Sequence, residues 1–124
     1  MKKPLVLVVE DDPIVRELTT RQLTLLGFEA IAVPSGEEAI EHNHEGVGLI
    51  LMDIGLPGID GVQATLLIRE KELRERRQRV PIVALTGHGD SKKCVSAGMD
   101  DYLQKPALID DIKRTVAKWV KVHP

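Results

Sequence analysis

Short aliphatic runs that each stop on a hydrophilic cluster constrain this chain more than any other feature. Leu5–Val9 is followed by Glu10-Asp11-Asp12, the run at 47–52 by Asp53, and the run at 82–85 by Thr86-Gly87. Continuous and partly β-branched, such runs suit strands buried on both faces of a parallel sheet, not half-exposed strands that alternate apolar with polar. None approaches the roughly 20 apolar residues needed to span a bilayer as a helix. Lys2 and Lys3 precede a run too short for a secretory signal, and acids stand where small residues would mark cleavage, so a cytoplasmic location is expected.

The segments between these runs read as helices. Over 13–26, Val15, Leu18 and Leu26 are expected on one face, with Asp12 as N-cap, Pro13 at the first helical position and Gly27 as the left-handed stop. A strand is expected at 28–33. Ser35 then caps a short helix with Glu37 and Glu38 in its first turn, where the dipole favours negative charge. After a turn-rich stretch at 55–61, a helix through Val62, Leu66 and Leu67 runs into the charged stretch 69–79, read as a solvated face, and Val80-Pro81 ends it. Past the strand at 82–85, a short helix is expected at 90–97, a fifth strand at 101–103 and a last helix at 108–121, with Trp119 packing that helix. Strands alternating with helices through short connections make an α/β fold, a parallel sheet with helices on both faces. Five such units use the whole 124-residue length, so residues 1–124 read as a single domain with no linker or repeat.

Composition excludes several functions. At 43% hydrophobic and 29% charged the chain can build a core without disulfides, and the lone Cys94 cannot form an internal one. With 17 Lys and Arg against 19 Asp and Glu, nothing indicates a nucleic-acid partner.

In open α/β sheets ligands bind beyond the carboxyl ends of the strands, where Glu10, Asp11, Asp12, Asp53, Thr86 and Lys105 fall. Converging carboxylates repel one another unless a cation sits between them. Oxygen donors without His or Cys select Mg²⁺ or Mn²⁺ over zinc. Asp12 is read as a helix cap and not as a ligand. Asp53, ending an apolar strand, would be costly to bury without a partner. His88 has no second His or Cys in its motif for a zinc site, and His42 and His44 are expected to be solvated.

The motifs V-V-E-D-D-P, L-M-D-I-G-L-P-G-I-D-G, A-L-T-G-H and A-G-M-D-D-Y-L-Q-K-P lie in this order, each at a strand end. Together they make the chain resemble the receiver domain of two-component response regulators over essentially its entire length. That resemblance implies a flavodoxin-like doubly wound sheet of order 2-1-3-4-5. It implies Asp53 as acceptor of a phosphoryl group from a phosphohistidine, Asp11 binding Mg²⁺ directly and Glu10 through water. The Asp53 carboxylate and the Gly55 carbonyl would complete the ligands. Lys105 would pair with Asp53 and then with a phosphoryl oxygen, next to a cis peptide before Pro106. Thr86 and Tyr102 would switch on phosphorylation, shifting the face made by the fourth helix, fifth strand and fifth helix. The implied protein is a signalling domain that catalyses its own aspartyl phosphorylation and dephosphorylation, without membrane contact of its own. Its partner is a histidine kinase core or a histidine phosphotransfer domain, docking near the first helix beside Ile14.

The motifs and the closing D-I-K-R-T-V-A-K-W-V most resemble receivers of hybrid histidine kinases, the cytoplasmic part of a sensor. A stand-alone response regulator is the alternative. Gly55 and His88 depart from the commonest family pattern at positions that tune water access to the acyl phosphate. A phosphohydrolase would need an acid at Gly55, and a flavodoxin-like electron carrier a hydroxyl-rich first loop and aromatic walls. A pseudo-receiver binding module would not need Glu10, Asp11, Asp53, Thr86 and Lys105 together.

Overall fold

The computed structural model describes residues 5–42, 44–87 and 97–120. Its strands are β1 (Leu5–Val9), β2 (Glu29–Val33), β3 (Val47–Asp53), β4 (Ile82–Thr86) and β5 (Asp101–Gln104), and its helices α1 (Pro13–Leu25), α2 (Gly36–Glu41), α3 (Gly61–Arg74) and a C-terminal helix, Ile109–Trp119. The strands form one parallel sheet in the order β2-β1-β3-β4-β5. This is the flavodoxin-like order expected from the motifs.

The continuous aliphatic runs have a simple cause, because alternate side chains of a strand point to opposite faces and both faces are covered. Leu7, Val9, Ile50, Met52, Ile82 and Ala84 join Ala39 of α2 and Ala64 and Ile68 of α3 in one core. Val6, Val8, Leu49, Leu51, Val83 and Leu85 join Leu23 of α1 and Ile112 and Val116 of the C-terminal helix in the other. Trp119 packs on the second core and donates its indole N–H to Asp101 Oδ2 at 2.9 Å.

Several expectations need correction. Leu18 is 51% exposed, and α1 buries Thr19 and Leu23 instead. The Thr19 hydroxyl donates to the Val15 carbonyl at 2.9 Å, so a residue read as polar sits on the inner face without an unmet hydrogen bond. Helix α3 stops at Arg74, where Glu75 caps it and Arg76 takes a φ of 54°, and Leu66 and Leu67 point outward while Ala64, Thr65, Ile68 and Glu72 are buried. The charged run after Ile68 is exposed over most of its length, as expected, but Arg69 and Glu72 turn inward from it. Arg69 donates to Glu72 Oε1 (2.8 Å), Asp100 Oδ2 (3.0 Å) and the carbonyls of Val80 (2.7 Å) and Gly98 (3.0 Å). Arg79 pairs with the other Asp100 oxygen and the Gly98 carbonyl.

His44, expected to be solvated, is half-buried. Its Nε2 lies 2.7 Å from the Ala39 carbonyl, and burial holds the ring below its ordinary pKa. His42 stacks on it with centroids 6.3 Å apart, its Nδ1 buried. Strands β3, β4 and β5 each run one residue further than expected, so Asp53 and Thr86 belong to the sheet. The helix expected at 90–97, with His88 and Cys94, lies outside the described residues apart from Ala97. The last helix runs from Ile109 to Trp119, starting one residue later than the expected 108–121 and ending two residues earlier, because Val120 turns to an extended conformation. Among the described residues no helix is long and apolar enough to cross a membrane.

Candidate functional site

The site stands at the carboxyl edge of the sheet, where β1, β3 and β4 run out together. The Glu10 N–H donates to the Val33 carbonyl at 3.1 Å, which carries the β1–β2 pairing one residue past the strand and leaves Glu10 only 1% exposed. Asp12 then turns the chain into α1. Its Oδ1 accepts the N–H groups of Ile14 (2.9 Å) and Val15 (3.3 Å), while its own N–H donates to Glu10 Oε2 at 3.2 Å. The side chain of Asp12 is occupied as a cap, as the Asp-Pro order implied.

Asp53 ends β3 at 5% exposure. The Gly55 N–H donates to one of its oxygens, Oδ1, at 2.9 Å, and Lys105 Nζ lies 2.9 Å from the other. The same Lys105 Nζ is 2.7 Å from Glu10 Oε1, so one ammonium bridges two buried carboxylates. Lys105 is aimed there by its backbone: its N–H donates to the Thr86 carbonyl at 2.8 Å, and the Lys105-Pro106 peptide is cis, as expected. Thr86 is 3% exposed at the end of β4, whereas the Tyr102 ring on the edge strand is 50% exposed.

Glu10, Asp11 and Asp53 each offer an oxygen within 4.8 Å of the others, which is the spacing of a shared cation. Three carboxylates meet one lysine there, and the donors are hard oxygens, a set that fits a small divalent ion. The titration behaviour follows from the same geometry. Burial pushes the Glu10 carboxyl up, Lys105 pulls it down, Asp53 pushes it up again, and the net is upward. Burial also pushes Asp53 up, but Lys105, the Gly55 N–H and the neighbouring Glu10 outweigh it and the net is downward. Lys105 loses to burial and gains more from its two carboxylates, ending above its ordinary value. Asp53 is therefore held ionised at neutral pH, which is the state a nucleophilic carboxylate needs.

Two contributors had escaped the sequence reading. Arg16 Nη1 donates to the Glu10 carbonyl at 3.0 Å and the Asp11 carbonyl at 3.4 Å. No periodicity marks it, since an arginine on an amphipathic helix reads as surface. Gly61 opens α3 against the loop after Asp53, and a Cβ there would lie 2.3 Å from the Asp53 carbonyl oxygen and 2.6 Å from Ile54 Cα. The Asp-Gly pair ahead of the helix was its only signal. Gly55 is the opposite case: a Cβ there would meet nothing nearer than Asp53 Oδ1 at 3.6 Å, so the space above the carboxylate is open.

Known proteins resemble this chain over nearly its whole length. Residues 6–117 match the response regulator receiver domain. The hybrid signal transduction protein dokA of Dictyostelium discoideum is 37% identical over 96% of this chain and 7% of its own length. The sensor protein GacS of Pseudomonas syringae is 38% identical over 95% of this chain and 14% of its own. The chain thus spans a small fraction of these relatives.

Among solved structures, the receiver domain of the sensor histidine kinase PA1611 of Pseudomonas aeruginosa, with magnesium coordinated in its active-site cleft, is 36% identical. It superposes with a TM-score of 0.82 over 95% of this chain and 98% of that one. The receiver domain of Saccharomyces cerevisiae Ssk1, crystallised with the histidine phosphotransfer protein Ypd1, is 29% identical with a TM-score of 0.88, covering 95% and 89%.

Proposed function

This chain belongs to the response regulator receiver domain family, and from that premise we propose that Asp53 takes a phosphoryl group from a phosphohistidine on a partner. The observation that carries the reading is the bridged, buried Asp53, with Lys105 on one oxygen and the Gly55 N–H on the other beside Glu10 and Asp11. An Asp53 carboxylate oxygen attacks phosphorus, the P–N bond to the partner's imidazole breaks, and the electron pair returns to that ring, which picks up a proton. Asp11, Asp53 and the Gly55 carbonyl would hold Mg²⁺ or Mn²⁺, with Glu10 acting through water, and the ion would supply positive charge against the phosphoryl oxygens.

The chain's own residues do the rest. Lys105 transfers its contact from the Asp53 carboxylate to a phosphoryl oxygen, which keeps a cation against the group throughout. Thr86, buried at the end of β4, turns its hydroxyl to another phosphoryl oxygen, and Tyr102, half exposed on β5, swings inward behind it. The readout is a population shift on the face that β5 shares with the C-terminal helix. In dephosphorylation water attacks the phosphorus, the P–O bond to Asp53 breaks, and inorganic phosphate leaves with Asp53 restored as a carboxylate. The lack of a side chain at Gly55 leaves room for that water.

The partner is a histidine phosphotransfer domain or a kinase core. The Ypd1 complex of the Ssk1 receiver supports this, as do the exposed Ile14 (78%) and Leu18 (51%) on α1, which border the acidic loop. The relatives dokA and GacS support an origin in a hybrid kinase, of which residues 1–124 would be a receiver domain.

Intact mass after treatment with phosphoramidate, with and without Mg²⁺, tests the reading. Wild type gains one phosphoryl group only with Mg²⁺, and Asp53→Asn gains none. An unmodified wild type would leave the pseudo-receiver reading in its place.

A further inference from the structure

We infer that Arg16 is a positioning residue for the cation site, fixing the backbone from which Asp11 and Glu10 project. The two acids reach the site by different means. Glu10 is buried and tied by its own side chain to Lys105 and to the Asp12 N–H. Asp11 is exposed, and its carboxylate makes no hydrogen bond or ion pair among the described residues, although it offers an oxygen within 4.8 Å of the donor oxygens of Glu10 and Asp53. Its position therefore depends on the peptide planes on either side of it.

Those planes carry two carbonyls just beyond the end of β1, and one guanidinium nitrogen accepts the task of holding both, at 3.0 Å for Glu10 and 3.4 Å for Asp11. Arg16 itself is set by α1, since its N–H donates to the Asp12 carbonyl at 2.8 Å in the first helical turn. Asp12 caps that same turn. The helix that begins at Pro13 thus reaches back with a cation on a rigid frame and pins the loop preceding it. Outer groups that orient metal ligands commonly change affinity by tenfold or more when removed, without touching the ion themselves. Arg16 fits that description, because its contacts are to the carbonyl side of the loop and not to the carboxylates of the cluster.

The inference rests on the cation-binding reading above, and the test separates the two. Mn²⁺ binding to the full chain is measured by electron paramagnetic resonance on wild type, Arg16→Met and Arg16→Lys, and phosphoramidate uptake is followed against Mg²⁺ concentration. Arg16→Met is expected to weaken Mn²⁺ binding about tenfold. It should raise the Mg²⁺ concentration needed for half-maximal uptake to a similar degree, with a maximal rate close to wild type. Arg16→Lys, which keeps a cationic donor, recovers most of the affinity. A residue that only stabilised α1 would lower the unfolding midpoint and leave the affinity of the folded protein unchanged.

Should Arg16→Met not fold, the same titration on Arg16→Gln takes its place, as its shorter amide does not span the gap. Wild-type Mn²⁺ affinity in a folded neutral variant overturns the inference and leaves the receiver reading standing. A wild type that binds no Mn²⁺ overturns both.

Discussion

The two ends of the sheet bury carboxylates to a similar depth and treat them in opposite ways. At the amino end, Glu72 and Asp100 meet Arg69 and Arg79, and the backbone completes the set: Val80 N–H donates to Glu72 Oε2 at 2.8 Å and Ile82 N–H to Asp100 Oδ2 at 2.9 Å. At the carboxyl end, Glu10 and Asp53 share the ammonium of Lys105, and the exposed Asp11 adds a third carboxylate within 4.8 Å of them. One cluster is balanced and fastens α3 to the starts of β4 and β5. The other is short of positive charge and stays so until something binds. A satisfied buried network locks a fold in place, whereas an undercompensated one stores an affinity for cations.

The largest effect should come from breaking the balanced end. Arg69→Met leaves the Glu72 and Asp100 carboxylates without their main partner, and urea unfolding should show a loss of about 3–5 kcal/mol. The fraction that remains folded should still take up a phosphoryl group. Next comes one chemical change made at both ends. Asp100→Asn, in chelator, should cost about 3 kcal/mol, because the arginines lose their acceptor. Glu10→Gln under the same conditions should stay within about 1 kcal/mol of wild type, because burial already disfavours the ionised form there. Equal losses from the two amides would erase the distinction between the ends.

The smallest effect is in the pH profile. Burial holds the folded His44 ring below its ordinary value of 6.5, so the unfolded chain binds that proton more tightly. Its contribution to stability is fully present above pH 6.5 and is lost as the pH falls through the lower folded value. Unfolding midpoints of wild type and His44→Gln should therefore converge on acidification, and a constant gap would contradict the buried neutral ring.

What could be read from the sequence divides along the same line. The parallel sheet, Asp53 near the end of β3 and the Asp12 cap follow from apolar periodicity and turn chemistry, which are local signals, whereas the strand order and the cis peptide before Pro106 came only with the family resemblance that the motifs carry. The Arg69 network was invisible because its partners are distant in sequence: Gly98 and Asp100 come from the approach to β5, and nothing near Arg69 announces them. Leu18 and Thr19 exchanged places for a related reason. Hydropathy favours the leucine, but the inner face of α1 follows Val15, Thr19 and Leu23, and a hydroxyl bonded within its own helix is cheap to bury. Arg16 went unnoticed because its contacts are to carbonyls, which no side-chain pattern encodes.

The shortage of positive charge at the carboxyl end is tested most directly by thermal unfolding as Mg²⁺ is added, on wild type and on Asp11→Asn. Ligand binding to the folded state alone raises its stability as RT ln(1 + [Mg²⁺]/Kd), about 2.7 kcal/mol at a hundredfold excess over Kd. The wild-type midpoint should climb along that curve, Asp11→Asn should stay nearly flat, and Asp100→Asn, altered at the other end, should climb in parallel with wild type. A wild-type midpoint indifferent to Mg²⁺, or an equal rise in Asp11→Asn, would contradict the account.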